Sequence, residues 1–428
     1  MAPLDRRDFL GIMAAAGAVP FTAQLDRRRS NAPDATVKAP DGRPLTAGLV
    51  GCGGRGTGAA ANFLDSGPNL RITALADVFE DRLARARKIL ANRGQDIPES
   101  RCFSGFDAYQ KLIDSGVDIV LLATPPHFRP AHFAAAVAAG KHTFLEKPVA
   151  VDGPGIRSVL ETGRLAASKG LSVMTGTQLR RQRSRIETRK RILDGAIGDI
   201  VALRAIRNQG ALWYRERQPG WSDMEYMIRD WVNWTWLSGD HIVEQHIHHL
   251  DSILWVTGVP PERALGMGAR MRRPTGDQYD FFSIDYTFPK NVHLHSTIRQ
   301  ISGCTNERDE SVVGTKGVAD LSGRIVDLSG KEIWRYDGPE VDPLVQEHAD
   351  LVTAIRTEKP INEVGGTAYA SLIAIMGRDS AYTGKAVTWD EAMNSNERLG
   401  PTEYTMGPVP LKPEAPIPGT DSAPSSAN

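Results

Sequence analysis

The stretch Leu45-Thr46-Ala47-Gly48-Leu49-Val50-Gly51-Cys52-Gly53-Gly54-Arg55-Gly56 decides how the rest of this chain is read. A short apolar run ends in Gly-x-Gly-x-x-Gly, and residues 59–64 continue behind it as the start of a helix. Strand, tight turn and helix in that order form the context in which such a loop cradles a dinucleotide. Glycines let the backbone turn sharply, and the helix N-terminus offers free N–H groups and a favourable dipole to a pyrophosphate. A second strand at 71–76 ends in Asp77, 21 residues after Gly56, where a ribose-binding acid belongs. A carboxylate there accepts from ribose hydroxyls and repels a 2′-phosphate, which favours NAD. Arg82 and Arg85 soften that preference and leave NADP open.

Outward from the loop, helices and strands alternate. Residues 81–92, 106–115 and 129–139 read as helices, and 101–103, 117–123 and 142–145 as strands. The dense apolar run 117–123 is of the kind buried on both faces of a parallel sheet. It leads into Thr124-Pro125-Pro126-His127, and strand 142–145 leads into Glu146-Lys147-Pro148. Both motifs fall at the carboxyl edge of the sheet, where such folds bind their ligands. Lys147 is thereby placed to project into a cofactor cleft.

The Gly loop with Asp77, Thr124-Pro125 and Glu146-Lys147-Pro148 together resemble the glucose–fructose oxidoreductase/inositol dehydrogenase (Gfo/Idh/MocA) family, from about Pro44 to Met393. The resemblance implies an α/β chain: an N-terminal Rossmann domain over 44–170 and a C-terminal α/β domain over 171–395 with an open, mostly antiparallel sheet. It implies a bound NAD or NADP, contacted by Gly51, Gly53, Gly54, Arg55, Gly56, Asp77, Thr124, Pro125, His127, Glu146 and Lys147. It also implies a carbohydrate or polyol substrate and self-association through the open sheet. Strand-like runs at 171–176, 200–208, 264–271, 280–287, 292–298 and 311–314 fit the second domain.

Four of the ten histidines crowd into Ser238-Gly-Asp-His-Ile-Val-Glu-Gln-His-Ile-His-His-Leu-Asp251. Read as one helix capped by Asp240, this stretch puts His241, Glu244, His248 and Asp251 on a single stripe. The Glu244–His248 spacing lets a carboxylate hold an imidazole, the usual equipment of a general base. A metal site and a structural polar network are competing readings, although one helix does not easily fill a coordination shell. In members of the resembled family an Asp-x-x-x-His pair faces the nicotinamide. It falls here on Glu244 and His248, with a Glu one methylene longer in place of the Asp. Lys147, His248 and Glu244 are therefore the expected catalytic residues, and no metal is called for. Residues 213–236 hold five of the eight tryptophans and read either as an aromatic mini-core or as a sugar platform. Arg229, Trp231 and His241 are the substrate contacts expected from the two stretches.

The ends carry other information. Asp5-Arg6-Arg7-Asp8-Phe9-Leu10 followed by a short Ala-rich apolar segment resembles a twin-arginine export signal, with residues 1–43 as signal and linker. A periplasmic or otherwise exported protein with its cofactor already bound is the expectation. Residues 396–428 read as a loosely held tail. Lys+Arg and Asp+Glu both count 51, so charge gives no argument for nucleic acid or an anionic membrane. Three scattered cysteines form no disulfide framework. The reading is an NAD(P)-dependent oxidoreductase acting on a carbinol. A glycoside hydrolase or lyase that recycles its cofactor is the alternative, and a non-catalytic sugar-binding protein a weaker one.

Overall fold

A computed structural model describes residues 38–411 and 413–420. The twin-arginine pattern therefore lies outside the described residues. The first sheet contains β1 (Leu45–Val50), β2 (Leu70–Asp77), β3 (Cys102–Ser104), β4 (Ile119–Leu122), β5 (His142–Leu145) and β6 (Val173–Thr175). They pair in parallel in the order β3-β2-β1-β4-β5-β6. The chain reverses direction of travel between β1 and β4, which opens a crevice beyond their carboxyl ends. All four residues of β4 are buried, as its unbroken apolar run requires of a strand covered on both faces. β6 belongs to this sheet through its pairing with β5. The first sheet thus runs to Thr175, past the boundary expected at residue 170.

The second sheet has nine strands in the order β14-β13-β12-β11-β7-β10-β9-β8-β15. They are β7 (Ile200–Gln209), β8 (Arg263–Ala269), β9 (Phe281–Phe288), β10 (Val292–Gln300), β11 (Glu307–Gly314), β12 (Gly317–Asp320), β13 (Arg324–Asp327), β14 (Glu332–Arg335) and β15 (Val387–Thr388). Only β7 and β10 pair in parallel. Alternation puts Leu203, Ala205, Phe282, Ile284, Tyr286, Leu294, Ile298 and Val312 on one face. There they pack against the helices Ile247–Thr257 and Val364–Thr383 in one buried cluster. The four short strands β12 to β15 were not expected from sequence; at two to four residues each, they carry no readable period.

Two segments tie the layers together. Helix Pro343–Arg356 returns to the first domain, where Leu351, Val352 and Ile355 share a core with Leu45, Leu49 and Phe63. The stretch after residue 396 is not loosely held over its described part. Leu399 and Val409 are buried beside Trp234 and Trp236, and Tyr279 Oη donates to the Pro416 carbonyl. No helix among the described residues is long and apolar enough to cross a membrane.

The histidine-rich stretch is two helices, His241–Glu244 and Ile247–Thr257, rather than one. Lys147 Nζ donates to the Glu244 carbonyl, the group that a continuous helix would pair with the His248 amide. A lysine from the other domain thus takes the helix acceptor, the chain widens at Gln245 and His246, and the expected stripe is lost. Asp240 does cap the first of these helices, accepting from the His241 amide.

Candidate active site at the seam between the two sheets

The glycine loop is folded onto the end of β4. Gly51 has φ +92, and a Cβ there would lie 2.7 Å from both the Ala123 carbonyl carbon and the Thr124 nitrogen. A Cβ on Gly56 would lie 1.8 Å from the Gly51 oxygen. No side chain fits at either place, so the backbone itself forms the floor of a cleft. Gly53 caps helix Gly54–Asp65 without a side-chain hydrogen bond, which leaves that N-terminus to a ligand.

The cleft is lined by Gly51, Gly53, Asp77, Arg82, Thr124 and Pro125, among others. Asp77 Oδ2 accepts from the Cys52 amide at 2.7 Å, and Oδ1 from the Phe79 amide at 3.0 Å. A carboxylate so held keeps lone pairs for two ribose hydroxyls. Burial is the main cause that raises its pKa, against those two backbone bonds and Arg82. The glycine cradle, the free helix terminus and this acid fit a dinucleotide.

The cleft also has a roof that the motifs did not predict. Ile228, Trp231 and Tyr404 line it from beyond the first domain. Arg229 fastens that roof: it reaches Asp81 at 2.9 Å and Glu225 at 2.8 Å, and lies 3.8 Å over the Phe79 ring. Arg229 and Trp231, expected at the substrate, thus stand at the nucleotide cleft. Trp234 and Trp236 are core, as the mini-core reading has it. His127 does not line the cleft. Its Nε2 lies 2.7 Å from Tyr404 Oη, and burial followed by Arg398 holds its pKa down to about 3. His132 stands there instead, with Nδ1 3.4 Å from Thr124 Oγ1 and its ring stacked 4.1 Å from Tyr109. No motif marks His132; only the phase of helix Arg129–Ala138 turns it inward.

Arg55 and Glu146 bind one another, Nε to Oε1 at 2.5 Å. Lys147 follows at the end of β5 with a cis peptide to Pro148 and crosses to the second domain. Its Nζ lies 2.8 Å from Glu244 Oε1, with 10% and 9% of the two side chains exposed. Glu244 therefore faces Lys147 rather than orienting His248, a correction to the expected pair. Gln245 Nε2 donates to the other Glu244 oxygen, and Gln245 Oε1 accepts from Arg207 Nη2 at 2.8 Å.

His248 is partly buried in the second of the two helices, Ile247–Thr257. Burial lowers its pKa well below the usual value, and the charges of Lys147, Arg207, His249 and Arg185 lower it further. It is neutral at pH 7, the form a proton acceptor needs. His241 is 1% exposed, with Nδ1 2.7 Å from Asp240 Oδ1, and is enclosed by Phe282 and Arg273. Asp251 is held by both arms of Arg180, at 2.9 and 2.7 Å. These two belong to the framework, not to the stripe expected for them. Among the described residues no group of three or more His, Cys, Asp or Glu has the arrangement of a metal site.

A nucleotide cradle at the switch point of a Rossmann sheet, with a buried lysine reaching into an antiparallel-sheet domain, defines a class of two-domain nucleotide-dependent oxidoreductases. Residues 45–177 match the oxidoreductase family with an NAD-binding Rossmann fold, and 186–320 match the GFO/IDH/MocA C-terminal domain. The chain belongs to the Gfo/Idh/MocA family and carries its NAD-binding domain. It is similar to a glycosyl hydrolase family 109 protein of Shewanella sp. strain ANA-3, 34% identical over 39% of this chain and 38% of that protein. A 2,7-anhydro-N-acetylneuraminate hydratase of Escherichia coli is 24% identical over 56% of this chain and 58% of its own. The aligned part thus spans less than two thirds of either relative. Scyllo-inositol dehydrogenase of Lactobacillus casei, solved with NAD(H) and scyllo-inositol, shares the fold. Its TM-score is 0.62 at 18% identity, covering 81% of this chain and 99% of that one.

Proposed function

We propose that this chain is an NAD-dependent enzyme that oxidises a carbinol of a sugar, glycoside or polyol. The observation that carries the reading is the buried Lys147–Glu244 pair where the nucleotide sheet abuts the second domain, with His248 near enough for the Lys147 charge to lower its pKa. NAD, when bound, supplies the acceptor for hydride. Lys147 donates to the substrate hydroxyl oxygen and stabilises negative charge as it develops there. His248 takes the hydroxyl proton. Glu244 is a positioning residue: it fixes the ammonium and balances its charge.

A second reading has its own support. Ile228, Trp231 and Tyr404 close over the nucleotide cleft, which favours a cofactor that stays bound between turnovers. Such an enzyme oxidises a hydroxyl, acidifying the neighbouring C–H, expels the glycosidic group, adds water and returns the hydride. The names of the curated relatives, a glycosyl hydrolase and a hydratase, favour this cycle. Export through the twin-arginine segment and pairing of two copies through the outer face of the second sheet, where Leu265 and Met267 are exposed, complete the proposal.

The test incubates purified protein with glycosides and polyols in D₂O. Reduced cofactor accumulating in proportion to product indicates net oxidation. Cleavage with deuterium incorporated beside the oxidised carbon, and no net reduction, indicates the recycling cycle. A protein that neither carries nor binds NAD refutes both.

A further inference from the structure

Strands β7 and β11 place Arg207 and Arg308 directly opposite one another. The shared parity with Leu203 and Ala205 on one strand, and with Glu310 and Val312 on the other, puts both on the face turned toward the helices. Like charges in that position repel and destabilise a sheet. Two other arginines near this face are neutralised: Arg185 pairs with Glu310 at 2.5 Å, and Arg180 with Asp251. Arg207 is not. Its hydrogen bonds go to the neutral amides of Gln245, at 2.8 Å, and Gln209, at 3.4 Å. Burial lowers its pKa, and Arg308 lowers it further, against the pull of Glu244 and Glu310. Arg308 is exposed, with no ion pair among the described residues.

Arg207 is joined to the lysine proposed for catalysis. Arg207 donates to Gln245, Gln245 donates to Glu244, and Glu244 binds Lys147. His248 and His249 both feel the Arg207 charge. The two carboxylates whose charge reaches Arg207, those of Glu244 and Glu310, are already engaged by Lys147 and by Arg185. Arg207 is held partly buried with no ion-pair partner among the described residues and with Arg308 opposite it, a cost that an anionic ligand would relieve.

We propose that the substrate is an acidic sugar, whose anionic group is held by Arg207 and Arg308 while one of its hydroxyls lies at Lys147 and His248. The planar guanidinium fork suits a carboxylate, a sulfate or a phosphate monoester. The shared chemistry is an oxyanion presenting two acceptors; uronate-type carboxylates and sulfate or phosphate esters are its sources. The inference rests on the proposed carbinol oxidation for the location of the hydroxyl, but the anion site itself does not.

The test titrates the NAD-loaded full chain calorimetrically with glucuronate, glucose 6-sulfate, glucose 6-phosphate and neutral glucose. At least one anionic sugar is expected to bind roughly 10- to 100-fold more tightly than glucose. The preferred anion distinguishes carboxylate from ester. Arg308→Gln, at an exposed position, preserves the fold and is expected to remove most of that difference. Arg207→Gln should remove the rest. Equal affinity for charged and neutral sugars, or a preference indifferent to both substitutions, overturns the anion site. Turnover is read separately: an anion preference without oxidation of any sugar keeps this site and sinks the proposed reaction.

Discussion

Replacing Lys147 by Met removes one partner of an ion pair at 2.8 Å whose side chains are both about nine-tenths buried. At an effective dielectric constant near 20 that attraction is about 6 kcal/mol. Desolvation of the two ions offsets much of it, and leaving one charge unpaired typically costs about 3–5 kcal/mol. In Lys147→Met the Glu244 carboxylate keeps only the Gln245 amide as donor. Lys147→Met with Glu244→Leu removes both charges and should recover most of the loss, because well-packed apolar residues replace a buried pair at little cost. Urea denaturation of the four proteins measures the cycle. Additive losses would refute a buried interdomain ion pair. The double variant should regain stability but not turnover, which separates the architectural part of Lys147 from the chemical one.

Four further outcomes are expected. His248→Ala should lose roughly 10²–10⁴ in turnover while keeping its cofactor, and full activity would remove His248 as the base. Asp77→Ala should weaken NAD and narrow its advantage over NADP; because burial raises the Asp77 pKa, NAD affinity of the unmodified protein should fall on acidification at a midpoint above 3.8, and a midpoint at or below it would count against the contact. Tyr404→Ala opens the cleft roof and should speed cofactor release in a stopped-flow chase, with an unchanged release rate arguing that the roof retains nothing. Burial, with a lesser push from Asp240, raises the Asp277 pKa to about 6; the folded chain then holds a proton that the unfolded one releases, stability falls as pH rises from about 4 to 6, and Asp277→Asn should raise Tm at pH 8 more than at pH 5.

What the sequence determined by itself is mostly what local geometry dictates. The glycine loop requires conformations and close approaches that no side chain permits, at Gly51 and Gly56 alike, so its reading survives any packing. β1 and β5 fall at the residues their apolar runs predict, and Asp77 ends β2 because a buried strand must stop where a polar cleft begins. Pairings between residues far apart in the chain were not legible. Lys147 and Glu244 are 97 residues apart, and only the seam between the sheets brings that lysine to the helix carbonyl and breaks the histidine stretch in two. Arg207 opposes Arg308 through strand register, which a one-residue slip would abolish. The roof of the cleft gathers Ile228, Trp231 and Tyr404 from two distant segments. An aromatic run and a Pro-rich tail carry no signal of the surface they will cover, because burial is a property of the assembled layers and not of the segment.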